Sequence, residues 1–111
     1  MKKAITDAKP TVQTVFLLLA QYNGKAIISV SDLCRDYFTH LSVEKFIQKV
    51  TSGKIRMPLI KLEESQKSTY GVHLVDLAHY IDERRSIALQ EFQQFTIRQS
   101  SNAPSLFERS G

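Results

Sequence analysis

Cysteine, glycine and long apolar runs are all scarce in this chain, and each scarcity closes off a class of protein. One cysteine, Cys34, among 111 residues excludes an internal disulfide framework and fits a reducing compartment. Four glycines, scattered at turns, are too few for a loop that cradles nucleotide phosphates. No Gly-x-Ser-x-Gly elbow and no zinc-protease helix occurs, so the common nucleophilic and metal-hydrolase signatures are missing. The three histidines, His40, His73 and His79, lack metal-ligand spacing and a neighbouring cysteine, and no metal, cofactor or catalytic residue is assigned. The longest apolar run, Val15 to Ala20, is shorter than the about 7–15 residues of a secretory core and far below the ~20 of a membrane span. These absences predict a cytoplasmic, non-enzymatic protein with no membrane partner.

What is present is an ordinary globular composition, 42% hydrophobic and 23% charged, enough for one domain with a modest core. The net charge is +4 with a pI near 9.3, which favours a polyanionic partner. That charge is concentrated. Between Ser42 and His73 six basic residues (Lys45, Lys49, Lys54, Arg56, Lys61, Lys67) face three acids (Glu44, Glu63, Glu64).

The organising stretch runs from Asp32 to Gly53. Val30, Leu33, Cys34, Tyr37, Phe38 and Leu41 recur at helical spacing along one face, with Ser29 as N-cap and Asp32 as a weak capping-box partner. A second short helix follows, with Ser42 as N-cap, Val43, Phe46, Ile47 and Val50 as the buried stripe and Gly53 as its left-handed stop. Its outer face then carries Glu44, Lys45, Gln48, Lys49 and Ser52. Such a pair suits a helix-turn-helix, although the same pattern also occurs in small domains that touch no nucleic acid.

Around this pair the other elements fall into place. Residues 1–11 are polar and broken by Pro10, which predicts a flexible tail, with Lys2, Lys3 and Lys9 as an alternative basic arm. Val12 to Tyr22 reads as a buried helix through Val15, Phe16, Leu18 and Leu19, and a strand turning at Asn23-Gly24 is the rival. Ala26 to Ser29 is a short strand. After Pro58, Leu59 to Glu63 and Tyr70 to Leu74 form two strands around a polar turn whose tip holds Gln66, Lys67 and Ser68. A helix over Val75 to Arg98 follows. Its second half, with Ile87, Leu89, Phe92 and Phe95, offers either a partner surface or a segment that folds back. Residues 100–111 are disorder-like, with Leu106 and Phe107 as isolated hydrophobes.

The expected fold class is α+β, mostly helical: a winged helix-turn-helix over 12–99 with a two-stranded wing, a longer C-terminal helix, and tails at 1–11 and 100–111. The candidate DNA-binding set is Ser42, Lys45, Gln48, Lys49 and Ser52 on the second helix, Lys54 and Arg56 just after it, and Lys61, Gln66, Lys67 and Ser68 on the wing. Lysine and glutamine supply donors for guanine and adenine edges, and the flanking cations suit phosphates. The paired carboxylates Asp32/Asp36, Glu63/Glu64 and Asp82/Glu83 read as solvated surface.

The pieces LLAQYNG (Leu18–Gly24), DYF (Asp36–Phe38), MPL (Met57–Leu59), SQK (Ser65–Lys67) and GVHLVDLA (Gly71–Ala78), in this order and spacing, resemble the pyocin activator protein family. The likeness spans about Thr14 to Arg85 and implies an excisionase-like winged helix that binds double-stranded DNA at promoters of phage-tail-like bacteriocin genes. It implies no catalytic residue. An activator also implies contact with RNA polymerase, for which Asp82-Glu83 and the Phe92/Phe95 surface are candidates, and helix-turn-helix proteins commonly form homodimers. The alternatives are an excisionase-like architectural factor and a protein-binding adaptor.

Overall fold

The structure is a computed structural model that describes residues 11–64 and 69–102, with side chains to residue 98. The opening segment is helical: α1 spans Val12–Gln21. Thr11 is its N-cap, accepting from the Thr14 amide at 3.2 Å, and the Thr11 amide in turn donates to Asp82 Oδ2 at 2.6 Å. Strand β1 (Ile27–Ser29) leads directly into α2 (Val30–Tyr37). The helix α3 (Val43–Thr51) follows after a tight connection, then β2 (Ile60–Lys61), β3 (Tyr70–His73) and the long α4 (Leu74–Asn102). The protein is thus α+β and mostly helical, with one small antiparallel sheet.

Local chemistry accounts for the helix boundaries. Ser29 Oγ accepts from the Asp32 amide at 3.1 Å and Ser42 Oγ from the Lys45 amide at 3.2 Å, each satisfying a donor that the first turn leaves free. At the end of α3, Gly53 adopts φ +85°. The amides of Lys54 and Ile55 then reach back to the Lys49 carbonyl at 2.8 and 3.0 Å, the closure that a left-handed residue past a helix permits. That turn sends Ile55 and Met57 back into the core, 6% and 3% exposed.

The sheet is three-stranded in the order β1-β3-β2, so the expected hairpin is extended by β1. Ile28 pairs with Val72 and Ser29 with Gly71 on one side of β3, and Ile60 pairs with Gly71 on the other. Gly71 is required here by space. A Cβ at this position would lie 2.6 Å from Ile27 Cγ2 and 3.1 Å from the Ile28 carbonyl oxygen, closer than packed atoms tolerate.

The core joins α2, α3, the sheet and the first half of α4. Leu33, Phe46, Val72 and Ala78 are completely buried, with Ile28 and Leu77 at 1% exposure. Phe38 bridges two helices: its ring meets Phe46 edge-on at 5.0 Å between centroids and Tyr80 at 6.0 Å. Helix α1 packs on α4, and only one of its faces is core. Leu18 and Tyr22 are buried, whereas Phe16 is 71% exposed and Leu19 38%. Those two residues were expected inside. On a helix that covers the domain from outside, residues a turn apart on the flank remain in water.

Two carboxylates expected at the surface instead hold elements together. Asp82 accepts from both Thr11 and Thr14, locking the start of α1 to α4, so it is not a free acidic contact. Asp36 accepts the Tyr22 hydroxyl at 2.7 Å and the Arg35 guanidinium at 2.9 and 3.1 Å. The Arg35 hydrogen bonds and the tyrosine hydroxyl hold the Asp36 carboxyl below the usual carboxylate range. Burial beside that carboxylate pushes the Tyr22 phenol well up.

Candidate nucleic-acid interface

Helix α3 is anchored by one side and presents the other. Phe46 is fully buried and Val50 half-buried, and at 3.6 residues per turn the opposite face is centred on Gln48. Lys45, Gln48, Thr51 and Ser52 are exposed there, together with Glu44. Lys49 was expected on this face but stands on its flank and is half-buried. Thr51 was not among the residues expected there, although it lies within the expected helix; three residues after Gln48, it falls on the same face.

The hydroxyls of this face are already engaged, with a consequence for their chemistry. Thr51 Oγ1 donates to the Gln48 carbonyl at 3.1 Å and Ser52 Oγ to the Lys49 carbonyl at 3.3 Å, which leaves their oxygens as acceptors. Ser42 is the reverse case. Its oxygen accepts the Lys45 amide as the N-cap, so its own proton remains available to an anionic oxygen.

Beyond α3, Lys54 and Arg56 are exposed in the connection to β2. Lys61, on β2, is exposed with its ammonium 5.6 Å from the centre of the Tyr70 ring, a cation–π contact that steadies the side chain without neutralising it. Among the described residues, the ion pairs converge on Arg35, with Asp32 and Asp36 at 2.9 Å. Lys45, Lys49, Lys54, Arg56 and Lys61 therefore carry charge that no carboxylate of the described structure offsets. Gln66, Lys67 and Ser68 lie outside the described residues.

A groove of about 350 Å³ separates α3 from the hairpin, lined by Ser29, Ser31, Val43, Ile47, Thr69 and Tyr70 among others. Val43, expected in the buried stripe, is 38% exposed and forms this wall instead. Sequence reasoning did not single out Ser31, Thr69 or Tyr70. Ser31 lies in the first turn of α2, whereas Thr69 and Tyr70 reach the same groove because β3 pairs with β1, the strand that leads into α2. Val43 and Ile47 of α3 thus share one groove with Thr69 and Tyr70, while the cations Lys45, Lys54, Arg56 and Lys61 are exposed on α3, on β2 and on the segment between them.

Among the described residues no helix is long and apolar enough to cross a membrane. Cys34 is buried on α2, and desolvation pushes its thiol up, the setting of an unreactive core cysteine. Comparison with known proteins matches residues 14–88 to the family described as Pyocin activator protein PrtN. No curated protein and no solved structure matches the chain.

Proposed function

We propose that this chain, which belongs to the pyocin activator protein PrtN family, is a sequence-specific DNA-binding activator of phage-tail-like bacteriocin genes. The reading treats α2 and α3 as a helix-turn-helix and the β2–β3 hairpin as its wing. The observation that carries it is the exposed face of α3, where Lys45 and Gln48 project with no side-chain partner among the described residues. In this reading α3 lies in the major groove, with Gln48 and Lys45 at base edges. Ser42 donates to a backbone phosphate, and Lys54, Arg56 and Lys61 grip phosphates on either side. Lys49, on the flank, is a phosphate contact and not a base reader. In the same reading Gln66, Lys67 and Ser68, between β2 and β3 in the chain, are further DNA contacts. RNA polymerase is the partner that an activator recruits. The family assignment is regulatory and implies no catalytic step.

The test is a titration of the full chain against duplex DNA from upstream of its own locus and a scrambled duplex, at several salt concentrations. Four or five phosphate contacts give a slope of log K against log salt of about −4, since each contributes roughly 0.9. Preference for the native sequence with that slope supports the reading. Equal binding to both duplexes favours an architectural, excisionase-like role, and no binding at low salt favours a protein adaptor.

A further inference from the structure

Helix α4 continues past the part that packs on the domain as a run of exposed side chains, and a groove lies beside its first half. Leu77, Ile81, Arg84, Ala88, Glu91 and Phe95 alternate at four- and three-residue spacing, which keeps them on one stripe. The first part of that stripe faces the domain: Leu77 is buried at 1% exposure and Ile81 is half-buried. Beyond it, every side chain from Ala88 to Arg98 is exposed, including Phe92 at 65% and Phe95 at 56%. Two phenylalanines in water on one helix face mark an interaction surface.

At the base of this stripe lies a groove of about 290 Å³, lined by Tyr37, Phe38, Leu77, Tyr80, Ile81 and Arg84. Its walls are largely aromatic and aliphatic, and Arg84 stands at its outer end. We infer that this groove receives Phe95 of a second copy of the chain and gives its own Phe95 in exchange, through antiparallel two-fold pairing of the α4 helices centred on Ala88. Three features select this occupant and this direction.

The first is register. A two-fold axis at Ala88 places residues seven positions to either side opposite each other, so Phe95 of the partner subunit meets Ile81, inside the groove. The second is charge. Glu91 is the one acidic residue after Glu83 in α4, and the same axis sets Glu91 of the partner subunit opposite Arg85 and beside Arg84. Parallel pairing would instead place the two Glu91 side chains together and leave both grooves empty. The third is size. Alanine at the crossing point lets the two helix backbones approach closely, and larger residues on either side fill the space this creates. Such an exchange is isologous: one surface supplies both knob and hole, so the assembly closes at two copies.

Sedimentation of the full chain without DNA tests this, independently of the reading of α3. The wild type should sediment as a dimer at micromolar concentration. Phe95→Glu should raise the dissociation constant at least about thirtyfold while circular dichroism and the melting temperature of the monomeric domain stay unchanged, because Phe95 is exposed and lies outside the buried core. Glu91→Arg should weaken the dimer, and combining it with Arg84→Glu and Arg85→Glu should restore it. Ala88→Cys should give disulfide-linked dimers on mild oxidation, with Cys34 buried and unreactive. A wild type that remains monomeric would overturn the inference and point to a helix of another protein as the occupant. A dimer that survives Phe95→Glu, or a charge swap that fails to rescue, would overturn it as well. Loss of DNA binding with the dimer intact would count against the α3 reading alone.

Discussion

Helices α2 and α3 are similar in length and share one core, yet they treat charge in opposite ways. On α2, Arg35 is held by Asp32 and Asp36, and Asp36 also receives the Tyr22 hydroxyl from the end of α1. Its polar groups are spent on joining elements. On α3, Lys45 and Lys49 meet no carboxylate among the described residues, and Lys45 and Gln48 are exposed. Solvated cations add little to the stability of a fold, and their value lies in attracting a polyanion over a distance. The contrast therefore separates a helix that builds the domain from one that the domain displays.

The largest perturbation removes what both helices share. Phe46→Ala empties a fully buried site against Phe38 and should lower stability by about 3–5 kcal/mol; thermal denaturation measures it, and an unchanged melting temperature would mean that α3 is not anchored there. Gly71→Ala acts on the strand that sets α3 beside the hairpin. The added methyl meets Ile27 and the Ile28 carbonyl, for an expected loss of about 1–3 kcal/mol, readable in urea unfolding.

The next change separates the helices. Tyr22→Phe removes the hydroxyl from Asp36 and should cost about 1.5–3 kcal/mol, the usual range for a hydrogen bond to a charged group, with DNA affinity at matched salt unaffected. The same cluster has a pH signature. The folded state holds the Asp36 carboxyl below its unfolded value, so its stabilising contribution is complete above the unfolded pKa of about 3.9. It is lost as pH falls through the lower, folded value. Asp36→Asn should therefore be less stable than wild type at neutral pH, and the two melting temperatures should converge in acid.

The smallest effect on the fold is the sharpest on the display side. Lys45→Ala should leave the melting temperature within experimental error and reduce discrimination between native and scrambled DNA, as its place at a base edge requires. Unchanged discrimination with a salt slope reduced by about 0.9 would make Lys45 a phosphate contact instead. Equal binding in both respects would remove it from the interface.

Much of this arrangement was legible beforehand because it is written in local chemistry. Ser29, Ser42 and Gly53 fulfil the capping and stop roles that their spacing suggests, since each acts within one turn of its own helix. The alternative of a strand over Val12 to Tyr22 is excluded, as α1 is a helix. The misreadings share a different cause. Phe16 and Leu19 were placed inside because they are apolar, and Asp36 and Asp82 outside because they are charged; in each case a neighbour distant in sequence decides. Lys49 and Val43 moved from their expected places by a rotation of α3 about its axis that periodicity does not resolve.

By itself the sequence determined the order of helices and strands, their caps and the concentration of positive charge after Ser42, because these depend on contacts of a few residues. The tertiary structure alone decided that β1 joins the hairpin, that α3 shares a groove with Thr69 and Tyr70, and that Tyr22 and Asp36 meet across fourteen positions. It also decided which end of the α4 stripe is covered. The apolar spacing along that stripe continues past Ile81, and only the extent of α1 and the sheet determines where burial stops and the exposed surface begins.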